Sequence, residues 1–203
     1  MFDLVTEIMV THANNDWISR RRTLVDQVGT SYAANAYNSL ARASHAFELI
    51  RLAALWDDGQ PDRTSLLAIY NLIKPADVRT ELKRRWLLSW EGQSAEYIAD
   101  MAERFDSMLA EADRLIPAVE KSKRLKKLRN HRNNHIAHNL APAPGAENPR
   151  YGEETRLLRT TWWMANLLNG MINSVSTAYS MSKEIADSYA EALWADTQLR
   201  IRR

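Results

Sequence analysis

Cysteine is absent from this chain of 203 residues, which excludes disulfide staples, thiolate zinc sites and a cysteine nucleophile and suits a reducing compartment. Glycine and proline are scarce, at six each, so turns are few and long elements are expected between them. No stretch approaches the roughly 18 consecutive apolar residues that a membrane span requires. No stretch alternates apolar and polar residues with β-branched enrichment either, which argues against strands. Met1 to Val10 carries Asp3 and Glu7 where a secretory leader would have a basic start and an apolar run. A soluble, cytoplasmic protein without membrane partners is expected.

What is present is helical periodicity and one dense polar segment. From Tyr32 to Trp56, the apolar residues Ala36, Leu40, Ala43, Phe47, Ile50 and Ala54 recur at steps of four and three. That spacing predicts a helix with one buried stripe, whose alanines admit a close neighbour. Asp57-Asp58-Gly59-Gln60-Pro61 ends it, and Thr64 or Asp62 is placed to cap a short helix through Leu66, Leu67, Ile69 and Leu72. Pro75 suits the first turn of a helix from Ala76 to about Trp90. Ser94 opens a long helix, with Pro117 as a kink or restart. The stretch from Ala141 to Pro149 holds three of the six prolines and is the clear loop. A last long helix is predicted to align Leu158, Trp162, Ala165, Leu168, Ile172, Val175 and Tyr179. A C-terminal helix follows from Ser182 to near Leu199. With no internal repeat and no linker-like tract, the chain reads as one all-α domain over residues 1–203, with its core at about 30–180.

Net charge is only +2, so the basicity that matters is local. Residues 121–132 hold seven lysines and arginines, and no acidic residue falls between Glu120 and Glu147. This clustering, with Arg200, Arg202 and Arg203 at the tail, points to an anionic partner such as RNA. Directly after it, residues 129–138 read Arg-Asn-His-Arg-Asn-Asn-His-Ile-Ala-His, with three of the five histidines. Histidine exchanges a proton near neutral pH, and arginine presents a fixed cationic fork to phosphate. Such a set suits phosphodiester cleavage without a metal.

On an ideal helix, Leu125, Leu128, Ile136 and Leu140 form an apolar stripe with Arg132 in its middle. A guanidinium there must be paired or reached by solvent. His138 lies about 120° around the helix from Arg132 and roughly 9 Å along it. Either the helix breaks near the motif, or a second copy of the chain completes the site.

Arg132-Asn133, four further residues and His138, ending Ile136-Ala137-His138, resembles the signature of the HEPN superfamily (higher eukaryotes and prokaryotes nucleotide-binding). Leu52 to Asp58, with Ser65-Leu66 beyond the loop, resembles its abortive-infection-U branch. The resemblance covers roughly residues 30–180. It implies an up-and-down helical bundle with extra flanking helices, and a metal-independent endoribonuclease that leaves a 2′,3′-cyclic phosphate. The site would form at a homodimer interface. By that resemblance His138 moves the proton, Arg132 binds the scissile phosphate and Asn133 orients both. The implied setting is phage defence by abortive infection, or a toxin-antitoxin module with an antitoxin or inhibitory partner. Arg129 and Arg132 would favour the neutral, base-competent form of His138.

Arg129-Asn130 with His135 repeats the spacing three residues earlier. The later register is preferred because it carries the Ile-Ala-His ending. Lys123, Arg124, Lys126, Lys127, Arg129 and His135 are the candidate RNA contacts, against the alternative of a solvated charged face. His131, His135 and His138 share a helix face at spacings that can hold zinc, but no carboxylate is near and the arginines would repel a cation. No metal or other cofactor is expected. Trp162 and Trp163 read as core or interface residues rather than base-stacking platforms. His45 reads as structural, and His12 has no assigned place. The rival reading is a non-catalytic helical dimerisation or nucleic-acid-binding module.

Overall fold

A computed structural model describes residues 1–60, 64–137 and 152–199, with no side-chain description for Thr23, His135, Ile136 and Ala137. Among the described residues every regular element is helical, as the periodicity requires. The elements are α1 (Phe2–Arg20), α2 (Arg22–Val28), α3 (Ala33–Ala54), α4 (Leu66–Leu72), α5 (Ala76–Leu88), α6 (Ala95–Glu120) and α7 (Lys123–His131). A π-helical turn (Arg132–Ala137), α8 (Glu153–Asn173) and α9 (Tyr179–Trp194) complete them.

Three of the starts have side-chain caps that satisfy otherwise orphaned N–H groups. Ser65 accepts from the Ala68 N–H, Ser94 from Tyr97 and Ser122 from Leu125. Ser65 therefore caps α4, in place of the expected Thr64; Asp62, the other candidate, lies outside the described residues. Pro117 does not restart the helix: α6 runs on to Glu120, and α7 begins only after the Ser122 cap. Pro117 has no N–H to donate to the carbonyl four residues back, so α6 continues with one backbone bond fewer.

The fold is organised around α8, which is buried on most sides through Leu157, Leu158, Thr161, Trp162, Met164, Ala165, Leu168 and Met171. α1 packs against α3, α8 and α9, and α6 packs along α8. Val5, Ile8 and Met9 of α1 and Ala186 and Ala190 of α9 belong to the same apolar cluster as Leu52, Trp56 and Trp162. The two end helices thus close the core rather than flank it.

Three further expectations are corrected. The first concerns the stripe of α3. Leu40, Phe47 and Ile50 are 53%, 52% and 36% exposed, while Leu49, Leu52 and Ala53 face inward. The buried face is set by Glu48, whose hydrogen-bond partners His12 and Asn15 stand on α1, so the helix is rotated away from its most regular apolar line. The second concerns α8, which ends at Asn173. Ser174 then takes a left-handed conformation (φ 56°), so Val175 and Tyr179 leave the predicted stripe and Ile172 stays exposed. Third, Ser182 is a buried residue inside α9 rather than its cap, and the helix ends at Trp194 instead of near Leu199.

Burial predicts the mutational response. Leu52 is fully buried whereas Leu72 is 53% exposed. Leu52→Ala should cost about 2–5 kcal/mol in urea unfolding, and Leu72→Ala within about 0.5 kcal/mol of zero. Similar losses for both would contradict this core.

Candidate functional site

The end of α3 and the end of α7 meet at a set of polar contacts. Leu125 and Leu128 bury one face of α7, which carries the following residues toward the loop after α3. Arg129 Nη2 donates to the carbonyl of Trp56. Arg132 Nη1 donates to both carboxylate oxygens of Asp57, at 2.7 and 2.9 Å. Its Nε donates to Asn133 Oδ1 at 3.0 Å. The Arg132 and Asp57 side chains keep 21% and 28% exposure, so the pair is half-buried and open on one side. Arg132 Nη2 has no partner among the described residues.

The requirement that Arg132 be paired or solvated is met in both ways. Its partner, Asp57, lay inside the segment that carried the branch resemblance but had no assigned role. The signal was there: an Asp-Asp pair closing a helix whose last residues are apolar. The helix also changes geometry at the motif, because Arg132 begins a π-helical turn. Such turns interrupt the regular α ladder and recur at functional sites.

The remaining candidates fall in different places. Lys123, Arg124 and Lys126 are exposed on α7. Lys127 is partly buried and lies 3.8 Å from Glu153 at the start of α8. Asn133 is exposed beside Arg132. The backbone of His135 lies in the π-helical turn, while its side chain and the whole of His138 fall outside the described residues, as do Leu140, the proline-rich loop and the arginine tail. No group of side chains suited to a metal ion occurs among the described residues.

A second polar cluster went unread in the sequence. Glu48 is fully buried on α3. His12 Nδ1 lies 2.8 Å from its Oε1, and Asn15 Nδ2 donates to its Oε2 at 2.6 Å. His45 Nδ1 stands 3.8 Å from Oε2, and the other ring nitrogen of His12 meets Thr155 Oγ1 at 3.2 Å. The cluster borders a cavity of about 180 Å³ that Arg20, Arg42 and Glu154 also line. Burial alone would raise the Glu48 pKa, but the hydrogen bonds from its partners and the charge of His12 outweigh it and pull the carboxyl down to about 2. Burial lowers His12, yet the Glu48 contact and charge carry it above its ordinary value. The nearby Glu48 carboxylate, working against burial, does the same for His45. A lone glutamate among apolar residues gave no clue that its partners were twelve residues into the chain.

Helix order, the basic α7 and the motif after it define a HEPN-type all-α protein. The family model HEPN_AbiU2, described as AbiU2, matches residues 2–193, and the chain belongs to that family. No curated protein and no solved structure matches it. None of its described helices is long and apolar enough to cross a membrane.

The Glu48 cluster sets a pH dependence of stability. The lowered Glu48 pKa stabilises the fold above its unfolded value near 4.5, and that contribution is lost as pH falls toward 2. The raised histidine values stabilise below about 6.5 and are lost as pH rises through the folded values. Melting temperature should therefore peak between about pH 4.5 and 6.5 and decline on the alkaline side. The alkaline decline should be shallower in His12→Gln. An unchanged slope in that variant would count against the cluster.

Proposed function

We propose that the chain is a metal-independent endoribonuclease working as a two-fold dimer, with Arg132 and His138 as its catalytic residues. The observation that carries this reading is the placement of Arg132. Its guanidinium is held by Asp57 and Asn133 at a half-open surface, with Nη2 unpartnered among the described residues and the exposed cations of α7 just before it. A guanidinium fixed this way can take a phosphate oxygen without first losing rotamer freedom.

In the proposed reaction, His138 accepts the proton of a ribose 2′-hydroxyl. The 2′-oxygen attacks the adjacent phosphorus and the bond from phosphorus to the 5′-oxygen breaks. That oxygen takes a proton and leaves as a hydroxyl, giving a 2′,3′-cyclic phosphate. Arg132 stabilises the charge that gathers on the phosphoryl oxygens. Asp57 acts as a positioning residue. Lys123, Arg124 and Lys126 hold the strand through its phosphates. The family supports a role connected with RNA cleavage or abortive infection; the substrate, and any antitoxin, belong to the proposal.

The exposed face of α3 supports the dimer. Ala36, Leu40, Ala43, Phe47 and Ile50 form an apolar line open to solvent. It leads along the helix to Ala54 and on to Asp57, where Arg132 is held. A second copy seated there would remove this apolar surface from water and place pairing beside the motif.

One observation favours a second reading. Arg129 and Arg132 both hold the loop after α3, as they would in a purely structural clamp within a non-catalytic module. Cleavage of a 5′-labelled single-stranded RNA in excess EDTA separates the two. On the nuclease reading, cutting survives chelation, falls at least a hundredfold in His138→Ala and Arg132→Ala, and falls less in Asp57→Asn. Melting temperatures should stay close to wild type for His138→Ala. RNA binding without cutting, unchanged in His138→Ala, would establish the module instead.

The dimer has its own check. Phe47→Glu should convert a dimer to a monomer in light scattering and abolish cutting while leaving the helical circular dichroism intact. A wild type that is monomeric at tens of micromolar would remove the pairing from the proposal.

A further inference from the structure

On α8, Thr161 accepts from the Trp56 indole N–H at 2.8 Å, while Arg159 and Trp163 stand two residues either side of it. They therefore lie about 160° around the helix from Thr161, on the face turned away from Trp56 and the end of α3. This opposite face has a cavity of its own. Leu115 of α6, Arg159, Thr160, Trp162 and Trp163 of α8 and Tyr179 of α9 enclose about 350 Å³. That volume lies within the ~300–1,000 Å³ of small-ligand sites.

Its walls are aromatic and fixed. Trp162 and Tyr179 meet edge-to-face with centroids 5.3 Å apart and an interplanar angle of 74°. Trp162 is a core residue, 1% exposed, but its neighbour Trp163 is 44% exposed. The Trp163 indole is nevertheless pinned, donating from Nε1 to Glu111 Oε1 at 3.0 Å. An exposed tryptophan held in one orientation has already lost the freedom that ligand binding would otherwise cost. Its ring is large enough to stack on any base.

One cation lines the cavity. The Arg159 guanidinium lies 5.5 Å from the centre of the Tyr179 ring. Arg156, one turn earlier on α8, is exposed as well. Neither makes an ion pair with a carboxylate among the described residues. Arg79, Arg84 and Arg85, by contrast, are paired with carboxylates. Two like charges at this spacing repel each other mildly, which an anion between them would reverse.

We infer that this pocket binds the base of a nucleotide, stacked against the aromatic walls, with its phosphate held by Arg159 and Arg156. Neither Arg132 nor Asp57 lines this pocket, and the inference does not depend on the chain cleaving RNA. The same chemistry is offered by a free mononucleotide and by an unpaired base of a single strand.

The test uses the full chain and two probes: AMP, followed by calorimetry, and fluorescein-labelled oligodeoxyadenylate, followed by anisotropy. The deoxy strand has no 2′-hydroxyl and so cannot be cut through a cyclic phosphate. Trp163→Ala, at an exposed position, should keep the wild-type circular dichroism and weaken binding about tenfold or more. Trp163→Phe should retain most of it, and Arg159→Ala should weaken binding and flatten its salt dependence. Displacement of AMP by the strand would identify a strand base as the occupant; AMP binding that the strand does not disturb would identify a free nucleotide. Binding of neither probe, or binding equal in wild type and Trp163→Ala, would overturn the inference. So would a self-association that Trp163→Ala abolishes, because the pocket would then be covered by a second copy. Cleavage lost in His138→Ala with Trp163→Ala unaffected in binding would leave the nuclease reading standing and remove the pocket alone.

Discussion

The junction at Trp56 is the point on which the arrangement of α3, α7 and α8 depends. This residue is fully buried, and all its polar atoms are used. The indole N–H reaches Thr161 on α8, and the carbonyl accepts from Arg129 in the last turn of α7. The next residue, Asp57, takes Arg132. A buried indole left without an acceptor would carry a penalty of about 1–3 kcal/mol, so Thr161 fixes the direction in which the end of α3 points. That direction in turn decides where the carboxylate of Asp57 stands and therefore where the guanidinium of Arg132 is held. The position of the motif follows from core packing two helices away.

Charge burial explains the rotation of α3. Glu48 would be costly inside the protein as an isolated anion. It is tolerated because His12 and Asn15 come from α1 on one side and His45 from its own helix on the other. Once that network forms, the helix has no freedom to turn its Leu40–Phe47 line inward. The chain thus keeps two apolar faces on one helix. One is spent on the core; the other remains at the surface.

Much of the architecture was legible because it follows from local chemistry. Ser94 declared a helix start, the Gly59–Pro61 region an end, and the periodicity of Leu66 to Leu72 a short helix, since caps and turns depend on neighbours in sequence. Arg132 could be flagged because a cation on an apolar stripe needs an explanation within its own helix. What could not be read were the long-range choices. Asp57 and Arg132 are 75 residues apart, His12 and Glu48 36, and nothing local ties either pair together. The rotation of α3 failed for the same reason: a regular apolar line looks identical whether it faces the core or a partner. Trp162 and Trp163 illustrate the limit within one dipeptide, the first being core as expected and the second half-exposed.

The distribution of cations completes the picture. Arg79, Arg84 and Arg85 are matched to carboxylates close by, at 2.8 Å in each case. Such exposed pairs add little to stability, but they do neutralise the surface they occupy. The cations of α7 lack that local neutralisation because no acidic residue lies between Glu120 and Glu147, and Lys127 has to reach Glu153 on another helix. A chain with a net charge of only +2 therefore concentrates its positive potential by placing its acids elsewhere. For a polyanion, that segregation matters more than total charge: a local patch attracts phosphate over about a Debye length, ~8–10 Å at physiological salt, while the rest of the surface stays near neutral. Beside the π-helical turn, Asp57 is the carboxylate that pairs with Arg132. There the negative charge of Asp57 holds the guanidinium through Nη1, which orients it and leaves Nη2 without a partner among the described residues.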